Sequence, residues 1–211
     1  MKNMKMEKVQ FISHHTEKYS YADSVRLALK GGCKWIQLRM KDASEDEILE
    51  TASQVRKMCD RYEAVFILDD HVRLVEKTGA DGVHLGKNDM PVDEARRLLG
   101  NGKIIGGTAN TLDDIIMHCS RGADYIGCGP FRFTTTKKNL APVLGLEGYK
   151  EIMEGLGKAG IKIPVAAIGG ITVEDIPAIM ATGINGIAIS GSVLKADDPV
   201  EEMKKTINTT R

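Results

Sequence analysis

Gly79-Ala80-Asp81-Gly82-Val83-His84-Leu85-Gly86 reads as the close of one helix, a tight turn and a short strand. A glycine just past a helix end adopts the left-handed cap without a Cβ clash. The opening of this stretch recurs as Gly122-Ala123-Asp124-Tyr125 and as Gly183-Ile184-Asn185-Gly186, and Gly31-Gly32 stands in the same place before Trp35. One helix-to-strand turn is therefore used at least four times. That predicts a chain in which helices and strands alternate.

Working outward, short apolar runs rich in β-branched residues occupy 9–13, 35–39, 65–68, 82–85, 104–107, 125–128, 164–168 and 186–189. Each has the length of a buried strand. Most are apolar throughout, as parallel strands covered on both faces are. Helical stripes lie between them. Ser44-Glu45-Asp46-Glu47 reads as a capping box, followed by Ile48, Leu49, Ala52, Val55 and Cys59 at helical spacing. Thr111-Leu112-Asp113-Asp114 and Thr172-Val173-Glu174-Asp175 open two more, the last with Pro177 early in its course. Shorter helices fit 70–78 and 91–99. Eight strands alternating with helices over ~200 residues match a single eight-stranded parallel β/α (TIM) barrel, taken as one domain over residues 1–211. The architectural alternative is a doubly wound open sheet. It wants a Gly-rich phosphate loop after its first strand, where Ser13-His14-His15-Thr16 stands here.

Composition narrows the function classes. The 29 basic and 29 acidic side chains cancel, and no basic run marks a nucleic-acid face. No apolar stretch approaches the ~18 residues of a membrane span. Cys33, Cys59, Cys119 and Cys128 form no C-x-x-C pair, so they read as small buried hydrophobes rather than a zinc or redox site. Unpaired thiols and a polar stretch from Met1 to Lys8 set the expectation of a cytoplasmic protein. The expected partners are small molecules, with neither nucleic acid nor membrane, and a homo-oligomer stays open.

In a β/α barrel the reacting groups sit where strands end and βα loops begin. The second strand ends in Gln37-Leu38-Arg39-Met40-Lys41, where Arg39 and Lys41 could share an anion or be a solvated approach to a helix. The third ends in Asp69-Asp70 and the fourth is followed by Asp89. Carboxylates on adjacent strand ends suit Mg²⁺, which takes one or two of them plus phosphate oxygens. Asp70 could equally be a helix N-cap, and His84 a hydrogen-bonded wall residue. The fifth strand leads to Thr108. The sixth leads through Gly127-Cys128-Gly129-Pro130 to Thr134-Thr135-Thr136-Lys137-Lys138, which offers hydroxyl donors and positive charge to a phosphate or forms a mobile polar loop. The seventh and eighth end in Gly169-Gly170 and Ser190-Gly191-Ser192. Loops at those two positions are the usual phosphate site of this fold. Two anion sites and a carboxylate pair imply two phosphorylated substrates, one of them a diphosphate bound through metal.

ADGVHLGKNDMP at 80–91, GADYIGCGPFRFTTTKK at 122–138 and AIGGIT at 167–172 resemble the thiamine phosphate synthase family, and the similarity runs from Gln10 to Pro199. The resemblance implies a transferase that joins hydroxymethylpyrimidine diphosphate to thiazole phosphate and releases diphosphate. It implies that Gln37, Leu38, Arg39, Met40 and Lys41 form the pyrimidine-diphosphate segment, with Asp69 beside it. It implies Asp70 and Asp89 as the Mg²⁺ carboxylates, Lys137 and Arg39 as the catalytic cations, and Thr108 in the place of a substrate-contacting serine. Thr134, Thr135 and Thr136 with Gly170, Ser190 and Gly191 would hold the thiazole phosphate, and His84 would line that pocket. The chain departs from the family at Met40 (usually glutamate), Asp69 (usually asparagine), Thr108 (usually serine), Gly191 (usually serine) and His14 (commonly aspartate). A thiazole tautomerase or a non-catalytic pathway regulator on the same barrel is the implied alternative.

Overall fold

The computed structural model describes residues 6–133 and 142–211. Eight parallel strands close into a barrel in sequence order. They are β1 (Val9–Ile12), β2 (Trp35–Leu38), β3 (Val65–Asp69) and β4 (Gly82–Leu85), then β5 (Ile104–Ala109), β6 (Tyr125–Cys128), β7 (Val165–Ile168) and β8 (Gly186–Ile189). β8 pairs with β1 and completes the ring. The eight expected runs match these strands to within two residues at each end. β7 begins after Pro164, which has no N–H to give the ladder.

Alternation along each strand sorts side chains into two layers. Ile36, Leu38, Phe66, Leu68, Val83 and Leu85 face outward into the large core shared with the helices. Trp35, Ile67 and Tyr125 form a separate cluster inside the barrel. Trp35 and Tyr125 meet edge to face with centroids 4.8 Å apart.

The helices are α1 (Tyr21–Lys30), α2 (Glu45–Arg61), α3 (Val75–Thr78), α4 (Val92–Leu99) and α5 (Leu112–Ser120), then α6 (Gly145–Ala159), α7 (Ile176–Met180), α8 (Gly191–Leu194) and α9 (Pro199–Thr209). Both sides of the capping boxes at Ser44–Glu47 and Thr111–Asp114 are present. Thr172 and Asp175 make the same reciprocal bonds around a 3₁₀ turn, Val173–Asp175, and α7 follows with Pro177 in its first turn. The 70–78 segment is likewise a 3₁₀ turn, Val72–Leu74, and then α3. Cys33, Cys59 and Cys128 are buried as expected, while Cys119 is half-buried. Among the described residues no helix is long and apolar enough to cross a membrane.

The repeated turn does more than cap helices. Gly79, Gly122 and Gly183 have φ of 66°, 89° and 91°. The polar residue two places on then ties the new strand to the previous one. Asp81 accepts the Phe66 N–H at 2.8 Å, Asp124 that of Ile105 at 2.7 Å, and Asn185 that of Val165 at 2.8 Å. Three strands thereby have an N–H near their first residue satisfied at the bottom of the barrel. Arg56 of α2 and Arg96 of α4 pair with Asp81 and Asp124 at 2.9 and 2.5 Å. This end of the molecule is built for cohesion, which leaves the opposite end for chemistry.

Candidate active site

β2 and β3 run in register, with Gln37 opposite Ile67 and Leu38 opposite Leu68. That brings the polar residues at their ends together. Asp69 is 5% exposed. It accepts the Gln37 side-chain amide and lies 3.4 Å from Arg39 Nε. Burial pushes its carboxyl up to about 6, against the pull of Arg39 and Gln37. The Arg39 backbone N–H is held by Ser13 Oγ at 2.9 Å, a contact the sequence did not suggest. Leu38 and Met40 are buried in the outer core, so their side chains face the helices.

Asp70 adopts φ of 63°. A non-glycine residue in the left-handed region is strained by about 1 kcal/mol or more, and such strain concentrates at functional sites. The helical turn that follows has His71 as its N-cap and no side-chain cap bond, so Asp70 does not cap it. Asp70 instead meets Lys41 Nζ at 3.3 Å and shares a hydrogen bond with Asp89. Burial, then the Asp69 charge and Asp89, push Asp70 up to about 7. Asp89 is lowered despite its burial, because Asp70 and the Gly86 N–H, 2.6 Å away, donate to it. Of the two, Asp70 is the more readily protonated. Two carboxylates placed side by side suit a hard cation, which would offset their mutual repulsion. Among the described residues no cluster of three or more His, Cys, Asp or Glu could hold a metal, so any further ligands would be substrate or water oxygens.

His84 projects from β4 into the barrel, where Gly106 and Gly127 leave it room. A Cβ on Gly106 would lie 2.6 Å from His84 Nδ1 and would overlap Tyr125, and one on Gly127 would lie 3.1 Å from His84 Cε1. His84 bridges Tyr125 Oη and Thr108 Oγ1, each at 3.0 Å. It is a hydrogen-bonded wall residue and a neighbour of Thr108 at once.

On the far side, Gly169 and Gly170 have φ of 102° and 68°, and Ser190 and Gly191 lie where β8 passes into α8. Arg132 spans from the root of the loop after β6 to this edge. It donates to the Gly170 carbonyl at 3.2 Å and pairs with Asp175 at 2.6 Å. Gln10, Tyr125, Arg132 and His118 are polar neighbours that do not stand at the strand ends of the mouth; the first three act through partners far away in sequence, and His118 reaches back from α5 to the Thr108 carbonyl. Thr134, Thr135, Thr136 and Lys137 lie outside the described residues.

A family model described as thiamine monophosphate synthase matches residues 9–193. A thiamine-phosphate synthase of Bacteroides fragilis is 63% identical over 96% of this chain and 100% of its own. One from Bacteroides thetaiotaomicron is 58% identical over 98% and 99%. The solved thiamine phosphate pyrophosphorylase from Pyrococcus furiosus superposes with a TM-score of 0.85 at 35% identity, covering 96% of this chain and 95% of that one. The chain belongs to the thiamine monophosphate synthase family.

Proposed function

We propose that this chain condenses hydroxymethylpyrimidine diphosphate with thiazole phosphate, giving thiamine phosphate and diphosphate, with Mg²⁺ as cofactor. The observation that carries this reading is the Asp70–Asp89 pair beside Lys41, with Asp69 and Arg39 paired next to it, at one barrel mouth. A carboxylate pair beside Lys41, with the Asp69–Arg39 pair next to it, suits a diphosphate that arrives with its own divalent metal. When bound, Mg²⁺ supplies charge neutralisation to the diphosphate.

The chain's own groups do the rest. The bond from the pyrimidine methylene to the diphosphate oxygen breaks and its electron pair leaves with diphosphate. Arg39, Lys41 and Lys137 stabilise that growing negative charge. The thiazole nitrogen then supplies the electron pair of the new C–N bond. Gln37 Oε1 is buried without a hydrogen-bond partner among the described residues, and it is an acceptor for the amino group of the pyrimidine. Asp69, Met40 and Leu38 complete this segment, the last two through their backbone. Thr108 and His84 sit between the two substrates. Gly170, Ser190 and Gly191, with Thr134, Thr135 and Thr136, hold the thiazole phosphate. Holding both partners in one cavity removes much of the entropic barrier, and no side-chain nucleophile is needed. The expected setting is cytoplasmic, with small molecules as the partners.

The test is direct. Purified protein mixed with both substrates and Mg²⁺ should form thiamine phosphate and diphosphate, and Lys137→Ala should lose most of kcat while retaining its circular dichroism. Absence of product with both substrates present, or near-full turnover by Lys137→Ala, would overturn the reading or that residue's part in it.

A further inference from the structure

Beneath the mouth, four side chains from four strands form one hydrogen-bonded line across the barrel. Gln10 Nε2 on β1 donates to Tyr125 Oη on β6 at 3.2 Å. Tyr125 Oη lies 3.0 Å from His84 Nδ1, and His84 Nε2 lies 3.0 Å from Thr108 Oγ1. Gln10, Tyr125 and His84 are all buried.

The direction of this line follows from what each atom can do. An amide N–H only donates. The phenol oxygen that accepts from it keeps its own proton for its other neighbour, His84 Nδ1. Burial holds the Tyr125 phenol protonated. Nδ1 is then an acceptor, and the ring proton sits on Nε2. From there it is donated to Thr108 Oγ1. Thr108, having accepted, has its own hydroxyl proton left to donate away from His84.

A second imidazole holds the other end of Thr108. His118 Nε2, from α5, lies 3.0 Å from the Thr108 carbonyl oxygen. A carbonyl only accepts, so this nitrogen carries the proton. His118 Nδ1 is then a bare lone pair, and it is buried with no partner among the described residues. Thr108 is thus pinned at its carbonyl by His118 and oriented at its hydroxyl by His84.

We infer that Tyr125, with Gln10 behind it, is a positioning residue that keeps His84 in its Nε2–H form and so aims the Thr108 hydroxyl proton at an acceptor oxygen of the bound substrate. Neither residue touches the substrate. The inference rests on the proposed function only for the identity of the molecule that receives this proton.

Tyr125→Phe removes the hydroxyl and keeps the ring against Trp35. In ¹⁵N-histidine-labelled protein, wild-type His84 should show an unprotonated Nδ1 and a protonated Nε2. In Tyr125→Phe that preference should be lost. The same variant should lower kcat/KM for the pyrimidine diphosphate by roughly five- to tenfold, the worth of one hydrogen bond. In a Thr108→Val background it should lower it no further. If Tyr125→Phe does not fold, Gln10→Leu reads the same two signals. A protonated Nδ1 in the wild type, or an equal fall in both backgrounds, would overturn the inference. If the wild type makes no thiamine phosphate the synthase reading falls, and the tautomer measurement still decides the relay.

Discussion

Asp70 and Asp89 meet across the loops that follow β3 and β4, and each shifts the other's carboxyl, Asp70 upward and Asp89 downward. With both ionised and no cation present, two carboxylates in contact repel. Removing one charge should therefore stabilise the metal-free protein. Asp70→Asn is expected to raise the metal-free Tm at pH 8 by roughly 2–4 °C, the shift that about 1 kcal/mol gives a chain of this size. It should also abolish the Tm gain that Mg²⁺ confers on the wild type. A variant that still gains stability from Mg²⁺ would place the metal elsewhere.

Asp69 occupies Arg39 at 3.4 Å with a charge that an asparagine would lack. Asp69→Asn keeps an acceptor for the Gln37 amide and frees the guanidinium for the diphosphate. We expect KM for the pyrimidine diphosphate to fall by roughly threefold, under 1 kcal/mol, with kcat little changed. A raised KM would mean that Asp69 orients Arg39 usefully.

Arg132 ties the root of the loop after β6 to the Gly170 carbonyl and to Asp175. Its loss should loosen one phosphate pocket and spare the other. Arg132→Ala is expected to raise KM for thiazole phosphate by roughly three- to tenfold, the range for one charge-assisted contact that is partly exposed. KM for the pyrimidine diphosphate should stay within error, and equal rises in both would count against this division of the site.

Gly106 gives up its side-chain space to His84 and Tyr125. A methyl group there has nowhere to go, and overpacking of this kind costs typically 1–3 kcal/mol. Gly106→Ala should unfold at lower urea than wild type with an unchanged m-value. An unaltered midpoint would show that the barrel interior can relax.

Asp114 caps α5 through the N–H groups of Asn110 and Thr111 and pairs with Lys87 at 2.6 Å. Burial alone would raise its carboxyl, but Lys87 and the capping N–H groups hold it below the usual 3.8. A depressed folded-state pKa contributes stability that is present above 3.8 and is lost as pH falls through the folded value. Asp114→Asn should therefore cost ~1 kcal/mol at pH 7, and the gap to wild type should narrow as pH falls below 3.8. A gap that persists there would point to lost packing instead of lost charge.

The strands, the helix starts at Ser44, Thr111 and Thr172 and the left-handed glycines were legible in the sequence because each depends on residues within a few positions; the capping box of Ser20 with Asp23 went unread. α1, α6, α8 and α9 were not assigned; in α6, Gly148, Gly155 and Gly157 dilute the helical signal that would have marked it. At the site, sequence alone placed Asp70 and Asp89 on neighbouring strand ends, and that needed only strand order. It left open whether Asp70 capped a helix. The left-handed backbone and the contacts to Lys41 and Asp89 decided against the cap.

The order of the residues sets the order of the strand ends, and so which side chains could meet at one mouth. Which of them do meet depends on the closed barrel. Barrel closure joins Gln10 to Tyr125 across 115 positions and Arg132 to Asp175 across 43. The β2–β3 register turns Asp69 to Arg39 and Gln37. Such pairings depend on strand register and barrel geometry, which no local window of residues contains.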